Sequence, residues 1–201
     1  PAIDAGLMAR IEQDEAHYRA EREKNFRLAF ESAEKAVEHL DYDKALNDLQ
    51  LAAGHGIYPE EVLRVARTLP WVFAVLGKAE AWRAALELLK QLGDTAAHIN
   101  AATPEAYLRD LPQEDPALWQ AMQQRHFPTL LHIAGGTYRM GSEEANDSDE
   151  KPVHTVTVDE CLLADAPVTF WQSGLFCLLS GRDLPNDSGF GRGDRPVINV
   201  N

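Results

Sequence analysis

Near residue 128 the chain changes character, and that change constrains its fold more than any other feature. Before it, helix formers dominate and apolar residues recur at helical spacing. After it, short apolar or alternating β-branched runs are broken by glycine-rich turns. A helix-rich part followed by a strand-rich part belongs to the α+β class. The expected organisation is an all-α helical domain over 1–128 and a second domain over 129–201. A length of 201 residues accommodates one large domain or two modest ones.

In the first part, Ala9 to Leu40 contains neither Pro nor Gly. Phe26, Ala29, Phe30, Ala33, Val37 and Leu40 mark one apolar helical face. Asp41 and Asp43 offer caps for a second helix, Lys44 to Ala53, which Gly54-His55-Gly56 ends. Pro59 opens a third helix, with Glu60 and Glu61 at the positive end of its dipole. That helix should run to Leu69, where Pro70 breaks or kinks it. Trp71 to Leu76 continues apolar as far as Gly77, and Ala79 to Leu92 is a further amphipathic helix stopped by Gly93. Thr103-Pro104-Glu105 and Asp115-Pro116 read as starts of short helices. His17, His39, His55 and His98 show no ligand spacing with Cys or carboxylates, so they are expected on the surface or at caps.

In the second part, Leu130 to Ile133 reads as a strand ended by Gly135-Gly136, and Thr137 to Met140 as another. Gly135, Gly136 and Gly141 are expected where the backbone takes angles closed to other residues. Ser142 to Glu150 is an acidic loop carrying Glu143, Glu144, Asp147, Asp149 and Glu150. Val153 to Val158 alternates as a half-buried strand does, and Cys161-Leu162-Leu163 extends the sheet. Thr169 is a cap for an apolar helix over Phe170 to Leu179, expected to be buried on most sides and ended by Gly181. A loop rich in Gly, Asp and Arg follows, and Val197 to Val200 reads as a final strand.

A formal net charge of −13 disfavours non-specific nucleic-acid binding, which needs Lys and Arg to displace counterions from phosphate. It equally disfavours adhesion to an anionic membrane. No apolar run approaches the roughly 20 residues of a membrane span. The charged N-terminal region does not resemble a signal peptide. Two cysteines, Cys161 and Cys177, are fewer than a secreted scaffold carries, so a cytoplasmic location with reduced thiols is expected. Both are expected to pack as small hydrophobes.

Four segments taken in order carry a family resemblance. They are Gly135-Gly136-Thr137-Tyr138-Arg139-Met140-Gly141-Ser142, Lys151-Pro152-Val153-His154, Pro167-Val168-Thr169 and Arg195-Pro196-Val197-Ile198-Asn199-Val200. Together they resemble the first part of a formylglycine-generating-enzyme (sulfatase-modifying-factor) domain, a variant of the C-type-lectin-like fold. The resemblance covers about 130–201. It departs from the family at Phe170, where Asn is usual, and at Cys161, where an aromatic residue is usual. A fainter resemblance is to one tetratricopeptide-like helix pair, with Ala45, Leu49 and Ala52 on the inner face of the second helix. The alternative there is an irregular helical bundle, since one unit does not make a repeat array.

The first resemblance implies three kinds of activity. Some members oxidise a substrate cysteine with copper held by a late cysteine pair. Related sulfoxide synthases use iron held by histidines. Variable proteins of diversity-generating retroelements use the fold only to display a binding surface. The copper pair would lie beyond the matched region, and Cys161 and Cys177 do not align with it. No catalytic, cofactor-binding or metal-ligating residue is therefore assigned; the residues support no cofactor, and a copper or calcium site is left to a later part of the domain. The acidic loop lacks the regular ligand alternation of a calcium loop and reads as a solvated face. Gly189-Phe190-Gly191-Arg192-Gly193 lacks the spacing and following helix of a phosphate loop. Arg192-Gly193-Asp194 is a tripeptide common by chance. Asn146-Asp147-Ser148 and Asn186-Asp187-Ser188 are glycosylation sequons only in a secreted protein.

The expected function is a ligand- or protein-binding module, a helical adaptor joined to a lectin-like display domain. The alternative is a metal-dependent oxidase of the formylglycine-generating or sulfoxide-synthase type, its catalytic part beyond the matched region. A protein partner or small ligand is expected. So is a second polypeptide, or a later segment of the same chain, to pair with the last strands, because open apolar sheet edges aggregate.

Overall fold

The structure is a computed structural model that describes residues 5–144 and 148–200. It is a mixed α+β arrangement, a helical body followed by antiparallel β pairs and one more helix. Helix α1 spans Ala5–Glu38. Residues 8–21 are exposed throughout, and continuous burial of its inner face starts at Phe26. Its end is a Schellman turn: the Leu40 N–H donates to Val37 O at 2.9 Å and the Asp41 N–H to Ala36 O at 2.9 Å. Leu40 takes the left-handed position usually given to glycine, with φ of 63°. Asp41 at once caps α2 (Tyr42–Gly54) by accepting from the Lys44 N–H at 3.2 Å.

Ala33, Ala45, Leu49 and Ala52 are fully buried between these two helices, so small side chains let the backbones approach. Helix α3 (Pro59–Ala66) starts at its proline as expected. It stops before Leu69, and Pro70 lies in the first turn of α4 (Leu69–Val75) instead of breaking a longer helix. A proline in a first turn removes an N–H that has no helical acceptor anyway, so the residue read as a breaker is an opener. Helix α5 (Ala79–Gln91) precedes a short 3-10 turn at Ala97–Asn100. Helices α6 (Pro104–Glu114) and α7 (Pro116–His126) follow. Thr103 caps the Ala106 N–H at 3.2 Å and Asp115 caps the Leu118 N–H at 2.9 Å.

Strands β1 (Leu130–Ile133), β2 (Gly136–Met140), β3 (His154–Val158) and β4 (Cys161–Ala164) form two antiparallel pairs, β1 with β4 and β2 with β3. Leu130 pairs with Ala164, Ile133 with Cys161, Gly136 with Val158 and Met140 with His154. One register therefore runs through both pairs, and they make a single two-stranded ribbon. Gly135 lies at the interruption. A Cβ there would sit 2.8 Å from the backbone nitrogen of Glu160. Close approach, not a forbidden angle, is what Gly135 supplies; of the three glycines named above only Gly141 has positive φ, at 105°.

The half-burial expected of these strands is absent. Every residue of β1 and β2 is exposed, and in β3 and β4 only Val156 and Ala164 are partly covered. Alternation marks two chemically different faces but does not create a layer to bury one of them. The strand expected at 197–200 is also absent. One isolated bridge joins Thr169 to Pro196, and the Val197 N–H donates to Val168 O at 2.8 Å. An antiparallel ladder would continue from 197 to 200 against 168 to 165, but there the chain bends after β4 and Pro167 has no N–H to give. Asn199 turns left-handed, with φ of 58°.

Helix α8 (Phe170–Ser180) is closed by Gly181 as expected. It is buried on one side only: Trp171 and Leu175 join the same apolar core as Phe26, Leu49 and Trp82, while Phe176 and Leu179 are exposed. The core thus continues across residue 128.

Candidate functional site

Helix α8 is the pivot between the helical body and the surface beyond it. Its first turn leaves no backbone donor unmet. The Phe170 N–H donates to Arg195 O at 3.0 Å and the Trp171 N–H to Gly193 O at 3.1 Å. Thr169 and Gln172 form a reciprocal capping box. The loop after α8 is therefore clamped to the positive end of that helix by its own carbonyls.

The inner face docks through a notch. At Gly174 an added Cβ would lie 2.0 Å from Leu40 Cδ1, so the α1–α2 corner fills space that only glycine leaves open. Beside it, His126 is sandwiched by aromatic rings. It stacks on Trp71 with centroids 5.0 Å apart and meets Trp171 edge-on at 6.0 Å. Burial, with a smaller contribution from the Arg125 charge, lowers its pKa to about 4, so the ring is neutral at pH 7. Arg125 lies over the Trp171 ring at 5.1 Å.

The outer face is a groove of about 1090 Å³. Phe176 and Leu179 of α8, Phe127 and Pro128 before the ribbon, and Val197 and Val200 beyond it supply apolar walls. The ribbon carries the same chemistry: Leu162 and Leu163 are 62% and 60% exposed, and Leu130, Leu131 and Ile133 also face solvent. Polar side chains pair across its other half, as where the Thr137 and Thr157 hydroxyls meet at 3.0 Å.

A second polar cluster lies inside the helical body. His98 is buried, contrary to its expected place at the surface or at a cap, because the 3-10 turn that carries it packs on α5 and α6. Its ring meets Tyr107 edge-on at 5.7 Å, and its Nδ1 is 4.0 Å from Asp115. Neither ring nitrogen has a hydrogen-bond partner among the described residues. Burial, aided by Asp115 and Asp94, raises the Tyr107 pKa. Asp94 accepts from Arg67 Nε at 2.8 Å and from the Ala96 N–H at 3.0 Å. Burial opposes its ionisation, but these donors prevail and hold its pKa below the ordinary value.

Cys177 is buried in α8, whereas Cys161, expected to pack as a small hydrophobe, is exposed on the ribbon. The reason is the missing layer over β4. His17 and His39 are exposed, and His55 ends α2. In the acidic loop, Glu143 accepts from the Val153 N–H at 3.2 Å; Asp147 and most of the Asn146-Asp147-Ser148 sequon lie outside the described residues. Among the described residues, no three His, Cys, Asp or Glu side chains converge as a metal site would require. Nor, among them, is any helix long and apolar enough to cross a membrane. The Trp71–His126–Trp171 sandwich and the Leu40 notch have no sequence signal, since their members are distant in the chain. No protein-family model, curated protein or solved structure matches the chain.

Proposed function

We propose that this chain is a protein-binding module: a helical adaptor that presents the opening part of a formylglycine-generating-enzyme-type, C-type-lectin-like domain. In this reading α1 and α2 act as a tetratricopeptide-like pair that supports the display surface. The observation that carries the proposal is a pair of uncovered apolar surfaces, one on the ribbon and one on the outer face of α8. An isolated two-stranded ribbon is marginal in water, and a third strand or a packed layer is what stabilises it. Exposed side chains such as Leu131 and Leu163 on the ribbon and Phe176 and Leu179 on α8 mark surfaces that receive polypeptide. Three of the four family-like segments fall in ordered parts of the structure. Gly136–Met140 is β2, Thr169 caps α8, and Pro196 bridges back to Thr169.

Photocrosslinking in cells tests the proposal. A photoreactive amino acid is placed at Leu163, at Phe176 and, as a control on the helical body, at Leu51, which is 63% exposed. The expected result is one dominant polypeptide product, within the chain or to a second chain, at positions 163 and 176 only. The same diffuse background at all three positions would overturn the reading.

A further inference from the structure

A second, polar cleft of about 360 Å³ lies between the ends of α1 and α7, the first turn of α8 and the loop over 183–195. Arg125, Arg192 and Arg195 line it. The chain has 32 acidic residues against 19 Lys and Arg, so guanidinium groups have carboxylates in surplus. Arg27, Arg64, Arg67 and Arg109 each pair with one. Among the described residues, no ion pair involves the three arginines of the cleft, as none involves Arg19, Arg22, Arg83 or Arg182; what sets the three apart is that they line one cleft.

They are held by other means. Arg125 and Arg192 lie over the rings of Trp171 and Phe170 at 5.1 and 4.8 Å. Arg192 Nη1 donates to Pro185 O at 2.8 Å, while its Nε and Nη2 are buried with no acceptor among the described residues. Buried donors of a charged group are costly to leave unmet. Arg195 crosses the bare face of Gly191, where an added Cβ would lie 1.8 Å from Nη1. The clamp of Gly193 and Arg195 carbonyls onto α8 fixes the loop, so Arg192 and Arg195 are carried on a rigid frame.

We propose that this cleft binds a small ligand through one oxyanion group, a carboxylate or a phosphate, held by Arg125 and Arg195, with the charge of the half-buried Arg192 beside them. Planar guanidinium forks match either group with paired hydrogen bonds. Glu38, Asp187 and Asp194 also line the cleft and offset the three guanidinium charges, so binding rests on paired hydrogen bonds to the arginine forks and not on a net positive field. The site is independent of whether polypeptide covers the outer face of α8.

NMR of the arginine Nε–H and tryptophan indole signals tests this, with the chain titrated separately with sodium phosphate and sodium acetate at fixed ionic strength set by chloride. Saturable shifts at Trp171 and the three arginines with phosphate alone identify a phosphate-bearing ligand; with acetate alone, a carboxylate. Saturation by both supports a site for either oxyanion. Arg195→Gln should weaken binding at least tenfold, and Arg125→Lys, which keeps the charge but loses the fork, should weaken it severalfold. Arg109→Gln, on the exposed surface of α6 and outside the cleft lining, should change nothing. The proposal is overturned if neither anion gives saturable shifts beyond those of chloride, or if affinity is unchanged in the cleft variants whose amide spectra remain native.

Discussion

Replacing Gly174 by alanine separates two opposing effects of known size. Alanine is favoured over glycine inside a helix by about 1 kcal/mol. Against this, the new Cβ would lie 2.0 Å from Leu40 Cδ1 and 3.4 Å from its Cγ, so Leu40 must move. Leu40 has little freedom to do so. It is only 5% exposed, its φ is 63°, and the Schellman bonds to Val37 and Ala36 hold the corner. Overpacking of this kind costs about 1–3 kcal/mol. The expected net loss is about 1 kcal/mol, read as a lower urea midpoint by tryptophan fluorescence and circular dichroism. In a Leu40→Ala background the obstruction is gone, and Gly174→Ala should instead stabilise by up to about 1 kcal/mol. The reversal of sign between the two backgrounds is the test. Equal effects in both would mean that Leu40 does not fill the notch, and that α8 docks on the body by other contacts.

The His126 pKa is lowered from 6.5 to about 4, so the unfolded chain takes up a proton in that interval and the folded chain does not. Stability should fall as the pH drops from 6.5 to 4, by about 3 kcal/mol in all, and change no further from this group below that; His126→Phe should flatten this window in urea titrations. Asp94→Ala removes the acceptor of both Arg67 and the Ala96 N–H and should cost about 1–3 kcal/mol, with Asp94→Asn costing less because it keeps one acceptor. Cys161 should react with a thiol reagent in the native protein and Cys177 only after unfolding, giving one thiol and then two.

What could be read from the chain were features with local causes. Thr103-Pro104, Asp115-Pro116 and the Thr169–Gly181 frame announce helices because a cap acts within a few residues of itself. The buried positions Phe26, Phe30, Ala33 and Val37 of the first helix follow from helical period alone. Burial in the second half did not follow, because β-branched alternation in 153–158 describes a pattern and says nothing of what lies over it. Pro70 misled for a related reason: its steric rule forbids a helix interior but allows a first turn. His98, His126 and Leu40 owe their positions to partners remote in the chain. Of the cleft arginines, Arg192 and Arg195 were visible only as part of a polar loop and Arg125 only as the end of a helix, since their meeting at one cleft depends on the clamp to α8.

Amide hydrogen exchange, resolved by segment, tests most directly the claim that a rigid helical platform carries an uncovered surface. The account expects α8 and the helices beneath it to exchange slowly, near the rate set by global unfolding. Amides of β1 to β4 should exchange orders of magnitude faster, because cross-strand bonds alone hold the ribbon, and should slow when a bound polypeptide covers it. Ribbon amides as protected as those of α8 in the chain by itself would contradict the account, since they would require a covering layer already in place.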